Sequence, residues 1–205
     1  MLSTNLTIVQ YFVLLSVIQK LKPKFVTKEV LLSVLDQESD LEAFFDKTDN
    51  QYKQNMRVAS GALSLPESKV LPLVTLSDGK IAKFRLEPSY FFSKRYEKYS
   101  PLKRFYISSS VGLGQILGVN FLLKVPVHQW ESTWKSFAGS QEVQVSRACQ
   151  DFDALMLRAF TSTSIKDKSF KNLVFRAYVG YNSGSVTSSN KDSLKRAQEV
   201  VNRLK

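Results

Sequence analysis

Apolar and polar positions along the chain fall into helical spacing over most of its length. Leu6 to Ile18 is an almost unbroken apolar run, interrupted only by Thr7, Gln10 and Ser16. It predicts a buried first helix over about 5–21, with Lys20, Lys22 and Lys24 at its negative dipole end and Pro23 enforcing the stop. Thr27 is a natural N-cap for a second helix, with Glu29 in its first turn. Val30, Leu31, Val34 and Leu35 make the stripe of a core-facing helix side. Glu38 falls on that stripe, one turn beyond Val34, whereas Asp36 and Asp40 fall off it and are expected in solvent. Residues 41–68 read as helical and polar, ending near Gly61 and Pro66. Val70–Leu76 and Lys80–Leu86 flank the turn signal Asp78-Gly79 and predict a β-hairpin. Further helices are expected at about 110–123, 129–138, 141–160, 168–180 and 190–204. No repeat or long linker interrupts the pattern. The fold class that follows is mainly α, a single domain over 1–205 with one small hairpin.

Composition narrows the class without choosing a function. At 205 residues, 43% hydrophobic and 12% aromatic, the chain is long enough for one proper core. A formal net charge of +11 predicts attraction to polyanions, whether nucleic acid, anionic membrane or an acidic bacterial wall. The single cysteine, Cys149, excludes an internal disulfide framework and reads as a small buried hydrophobe. One histidine, His128, and one distant cysteine do not make a zinc site. Neither a Walker-type loop nor a strand followed by G-x-G-x-x-G is present, so no cofactor or nucleotide is expected. The thirteen residues of the first apolar run are too few for a bilayer core that needs about twenty. No Lys or Arg precedes them, which argues against a standard signal peptide. Past Pro88 the aromatic residues Tyr90, Phe91, Phe92, Tyr96, Tyr99, Phe105 and Tyr106 cluster, mostly as core, with any exposed members available to stack on sugar rings.

The densest chemistry lies in Ser108-Ser109-Ser110-Val111-Gly112-Leu113-Gly114-Gln115-Ile116-Leu117-Gly118. Three hydroxyls and three glycines surround one amide. The segment reads either as a groove wall with Gln115 turned toward a polar ligand or as a Ser/Gly loop capping a helix. This run resembles the S-x-x-G-L-x-Q-I-x-G element of the lysozyme-like superfamily, in its lytic transglycosylase and goose-type lysozyme branch. Upstream, Glu29–Ser39 resembles the first catalytic helix of that family, which ends in a Glu-Ser pair carrying the general acid. Phe84-Arg85-Leu86-Glu87-Pro88-Ser89-Tyr90-Phe91-Phe92 resembles the R-Y-E-P-x-F stretch of phage-type members. Arg176-Ala177-Tyr178-Val179-Gly180-Tyr181-Asn182-Ser183-Gly184 resembles the A-x-x-Y-N-x-G segment that closes the groove. The four elements occur in family order. They depart from the family in spacing: more than seventy residues separate Glu38 from Gly112, which makes 41–80 an insertion or an elaborated hairpin region. Gly114 stands where a Met is usual, and Ser183 where a second Gly is usual.

The resemblance implies an α+β lysozyme-like fold with the hairpin beside a groove. It also implies a peptidoglycan-degrading glycosidase that cleaves the MurNAc-GlcNAc β-1,4 bond, as a lytic transglycosylase or a muramidase. Such a reaction needs an acid that protonates the leaving oxygen and keeps its proton near neutral pH, which an apolar setting favours. Glu38 is the expected acid. Glu87 is the second carboxylate: it could activate water in a hydrolase, take the acid role itself, or serve as an ion-pair partner of Arg85 or Arg95. Ser110 and Gln115 would bind the sugar beside the scissile bond, Tyr181 would orient the acid, and Asn182 would pin its loop. Turn chemistry and core anchoring are the structural alternatives for Tyr181 and Asn182. The partners implied are peptidoglycan strands, with a virion or a holin delivering the enzyme to the wall or periplasm. Two other classes stay open. One is a basic nucleic-acid-binding protein, weakened because Lys and Arg are spread along the chain. The other is a lysozyme-fold wall-binding or virion module without catalysis.

Overall fold

A computed structural model of the chain describes residues 7–204. The start of the first helix expected from residue 5 lies outside them. The helices are α1 (Ile8–Leu21), α2 (Lys28–Ser39), α3 (Asn50–Leu63), α4 (Glu67–Val74), α5 (Pro88–Phe91), α6 (Pro101–Ser108), α7 (Val119–Leu122), α8 (Trp130–Gly139), α9 (Gln141–Thr161), α10 (Phe170–Ser183) and α11 (Lys191–Arg203). The strands are β1 (Phe44–Phe45), β2 (Ile81–Ala82), β3 (Phe84–Leu86), β4 (Ser109–Val111) and β5 (Ile116–Leu117). The protein is mainly α with small antiparallel sheets, the class its periodicity predicts. Among the described residues no helix is long and apolar enough to cross a membrane.

The chain divides into two compact units. One takes the residues up to Leu41 and those from Val145 onward; the other is Glu42–Gln144. All of the region 41–80 except Leu41 is therefore part of a larger unit that also contains the Ser108–Gly118 run. In the first unit Thr27 caps α2 as expected, its side chain accepting from Val30 N. The stripe Val30, Leu31, Val34 and Leu35 is fully buried. Helix α11 presents a second stripe, Ser193, Ala197 and Val200, continued by its C-cap Leu204, and contacts both α2 and α10. Helix α1 departs from expectation. Leu14 and Val17 are buried, yet Ile8, Val9 and Phe12 face solvent, so the helix lies at the surface of its unit.

In the second unit an aromatic core of Phe84, Phe91, Phe105, Tyr106, Trp130 and Trp134 is fully buried. Phe105 and Tyr106 meet Trp134 at centroid separations of 6.3 and 5.7 Å. Of the aromatic cluster read from sequence, Tyr90 and Phe92 are the exposed members. Two local expectations are corrected here. Val70–Val74 is the end of helix α4 rather than a strand, even though Pro72 removes one ladder donor. The Asp78-Gly79 turn does form, with Gly79 at φ 80°, and closes on a single bridge between Thr75 and Ile81. The strand that follows it pairs elsewhere, β2 with β1 and β3 with β4. Residues 110–123 do not form the expected helix. They hold β4, a four-residue connection, β5 and only the short α7.

Candidate functional site

Four of the side chains that matter lie within the first unit, around the last turn of α2. That turn carries Asp36 and Glu38, and Asp40 follows as a left-handed C-cap at φ 53°. Acidic groups at a helix C-terminus meet the negative end of the macrodipole, and α2 has no basic residue in its last turn to offset them. The compensation comes from α11. Arg196, Glu199 and Arg203, spaced i, i+3, i+7, address Glu38, Gln37 and Asp36 in turn. Arg196 Nη2 lies 3.1 Å from Glu38 Oε1, Gln37 Nε2 donates to Glu199 at 3.0 Å, and Arg203 Nη1 lies 3.4 Å from Asp36. Asp36 is thus buried in an ion pair and not in solvent as its position on the wheel suggested.

Glu38 is the centre of this arrangement. Its side chain is 4% exposed. Tyr178 on α10 donates its hydroxyl to Oε1, and Asn182 Nδ2 lies 3.5 Å from the same atom. Asn182 is itself held by Arg196, whose Nη1 donates to Oδ1 at 2.8 Å. Among the described residues, every hydrogen bond that Glu38 accepts falls on Oε1. Burial first, and then the Glu38 charge, push the Tyr178 phenol far above its ordinary range, so it stays a donor. Arg196 is shifted up by Glu38 and Tyr178 against the opposing effect of burial, the largest influence on it.

The tyrosine whose hydroxyl bonds Glu38 Oε1 is Tyr178, and the expected Tyr181 lies close enough for the Glu38 charge to act on its phenol. Tyr181 stacks beside Tyr178 at 6.3 Å between ring centroids and 6.1 Å from Phe152, and burial raises its phenol well above the usual value. Tyr181 and Asn182 sit in the last turns of α10 rather than in a turn, with Gly184 as the left-handed cap. Gly180 is needed there because a Cβ would come within 2.9 Å of Val186 and 3.0 Å of Leu155. Sequence reasoning missed Tyr178 and Arg196. Tyr178 stands one helical turn before Asn182 in the same segment, and Arg196 lies on the polar stripe of the last helix; both spacings were visible.

Glu87, Ser110 and Gln115 belong to the second unit. Glu87 precedes α5, and its carboxylate accepts from Arg85 Nε at 2.6 Å, both side chains being substantially solvated. Its backbone N–H donates to Ser108 O at 2.8 Å, tying the residue after β3 to the end of α6. The Ser110–Gln115 pair lies in the β4–β5 hairpin, in register Ser110 with Leu117 and Val111 with Ile116. Ser110 Oγ donates to Gln115 Oε1 at 3.1 Å, and Gln115 Nε2 donates to Gly112 O at 2.9 Å. The amide side chain is thus engaged within its own turn at both ends. Gly112, at φ 76°, accommodates Gln144, whose Oε1 accepts from Leu113 N at 2.8 Å. Gly118 lets β5 approach α6: a Cβ there would stand 2.0 Å from Tyr106 O.

Among the described residues no group of three or more His, Cys, Asp or Glu is placed to hold a metal ion. Cys149 is buried, and burial lifts its thiol to about 11. His128 is exposed. Comparison of the chain with family models, with curated proteins and with solved structures gives no match.

Proposed function

We propose that this protein is a glycosidase that cleaves the MurNAc-GlcNAc bond of peptidoglycan, with Glu38 as its general acid. The observation that carries the reading is the convergence on Glu38 of Tyr178, Asn182 and Arg196. Tyr178 and Asn182 come from α10, which carries the segment that resembles the groove-closing motif, and Arg196 comes from α11, which no motif covers. The bonds gather on Oε1 and fix the carboxyl plane, which leaves Oε2 as the oxygen that delivers a proton to the leaving group. Tyr178, a donor at all working pH, holds the orientation, and Arg196 balances the charge left on Glu38 after transfer. In anhydro-forming transfer the 6-hydroxyl of the muramic acid attacks its own C1, so one carboxyl suffices. In hydrolysis a second carboxylate activates water, and Glu87 is the candidate. A virion or a holin is the proposed means of delivery to the wall.

A second reading has its own support. A guanidinium 3.1 Å from a buried carboxylate is also the arrangement of a structural ion pair. On that reading the protein is a wall-binding module without turnover.

Mass spectrometry of the soluble products from purified peptidoglycan separates the two, with wild type beside Glu38→Gln. Anhydromuropeptides from wild type alone establish a lytic transglycosylase with Glu38 as acid. Reducing-end muropeptides without the anhydro mass shift establish a hydrolase. Co-sedimentation with insoluble wall and no soluble product from either protein would leave the binding module and end the glycosidase reading.

A further inference from the structure

We infer that the outward face of α1 is a docking surface for an anionic lipid bilayer. Helix α1 is mostly apolar: Ile8–Leu21 contains no acidic residue and a single basic one, Lys20, and its outer side turns polar only in its second half, at Ser16, Gln19 and Lys20. A helix of that composition is expected inside a core or against lipid. Its inner side meets that expectation, with Leu14 and Val17 buried. Its outer side does not. Ile8 is 77%, Val9 69% and Phe12 64% exposed, three large side chains gathered within the first two turns. Clustered exposure of this kind marks a contact surface, unlike apolar residues scattered singly.

Charge identifies the occupant. The chain carries +11, and Lys20, Lys22 and Lys24 crowd the end of α1, with Lys22 and Lys24 exposed. A second copy seated face to face would bring two strongly positive chains together. An anionic bilayer offers the opposite sign and an apolar interior for the same surface. At 14 residues α1 is about 21 Å long, shorter than a hydrocarbon core of about 30 Å, so it would lie in the interface rather than span it. Ile8, Val9 and Phe12 would enter the acyl boundary while Lys22 and Lys24 meet lipid phosphates. This surface is independent of the glycosidase reading.

Flotation of the full chain with vesicles tests it, using phosphatidylcholine alone and phosphatidylcholine mixed with phosphatidylglycerol. Binding is expected only to the mixed vesicles and should weaken with added salt. The triple variant Ile8→Ser, Val9→Ser, Phe12→Ser should lose at least about tenfold in partitioning. Lys22→Gln and Lys24→Gln should each lose about fivefold. An unchanged melting temperature of the triple variant keeps the comparison fair, since the three side chains are exposed. Absence of binding to either vesicle, equal binding to both, or full binding by the triple variant overturns the proposal. So does a concentration-dependent dimer in analytical ultracentrifugation that the triple variant abolishes, which would give the face to a second copy.

Discussion

The two polar clusters of this protein are held in place by different physics. In the first unit, Glu38 is fixed by groups 140 to 158 residues away in sequence, through charge and charge-assisted bonds. In the second, Gln115 is fixed within its own turn by Ser110 and Gly112, Ser110 also reaches Arg85 O 25 residues away, and the turn that carries them depends on the missing side chains of Gly112 and Gly118. A charge network is sensitive to removal of a partner; a glycine-dependent turn is sensitive to addition of an atom. The two clusters should therefore fail under opposite kinds of substitution.

The sharpest break of that contrast lies in the hairpin. Gly118→Ala would place a methyl 2.0 Å from the backbone oxygen of Tyr106, where no side-chain rotation gives relief. A loss of about 3 kcal/mol is expected, at the upper end for overpacking. Gly112→Ala combines a positive φ with atoms of Gln144 at 2.3 Å and should cost nearly as much. Urea unfolding of both variants measures this. If either is as stable as wild type, the hairpin is not held by backbone approach.

The corresponding test in the first unit removes a partner. Arg196→Gln leaves Glu38 buried beside the negative end of α2 and should cost about 3 kcal/mol, the lower bound for breaking a buried pair, because Arg196 is itself 27% exposed. Adding Glu38→Gln should recover part of that loss. A double-mutant cycle reads the coupling directly. Strict additivity would show that the pair has no energetic consequence and would weaken the case that Arg196 balances the acid.

This contrast also explains what was legible in the sequence. Helix α2 was readable because its cap, its first-turn Glu29 and its apolar stripe are all local signals. Helices α8 to α11 were readable by periodicity, and the aromatic core by composition. Glu38 could be picked out because a carboxylate on an apolar stripe is anomalous. Asp36 was misjudged because the arginine that buries it, Arg203, is remote in the chain, and a helical wheel contains no such partner. The β4–β5 hairpin was misread as a helix start for a different reason. A serine run before apolar residues suits either an N-cap or a strand, and the positive φ at Gly112 and Gln115 that decides the matter is only permitted, not announced, by the sequence. Helix α4 reads as a strand from sequence because Val70–Leu76 is a short apolar run leading into the Asp78-Gly79 turn signal, and tertiary packing of Val70 and Val74 overrides that local reading.

A smaller effect concerns Tyr178 and its dependence on pH. Its phenol is held far above the ordinary value near 10 by burial and by the Glu38 charge. The unfolded chain loses this proton as pH passes about 10, while the folded chain keeps it. The stability contributed is therefore complete below pH 10 and falls as pH rises beyond it. Tyr178→Phe should cost about 1–2 kcal/mol at neutral pH through the lost bond to Glu38, and should flatten the alkaline decline. Tyr106 in the second unit is raised by burial as well, so part of the decline persists in the variant. Urea midpoints at neutral and alkaline pH check both statements. An alkaline slope identical to wild type would remove Tyr178 from the buried network.

The smallest effect on stability belongs to Glu87, and that makes it the most useful discriminator for chemistry. Its pair with Arg85 is short, but the two side chains are 30% and 46% exposed. Such a pair contributes about 0–1 kcal/mol. Glu87→Gln should therefore fold like wild type, and any loss of muropeptide release can be read as lost chemistry rather than lost structure. With Glu38 as acid, Glu38→Gln should lower release by at least about 10²-fold, the usual contribution of a general acid. Glu87→Gln should then lower it less than about tenfold if the product is anhydro, and far more if the product is hydrolytic, since only hydrolysis needs a second carboxylate to activate water. A collapse of release in Glu87→Gln with Glu38→Gln still active would transfer the acid to Glu87. The buried network around Glu38 would then be the structural ion pair of the second reading, and the contrast between the two units would become one between a scaffold and a working site.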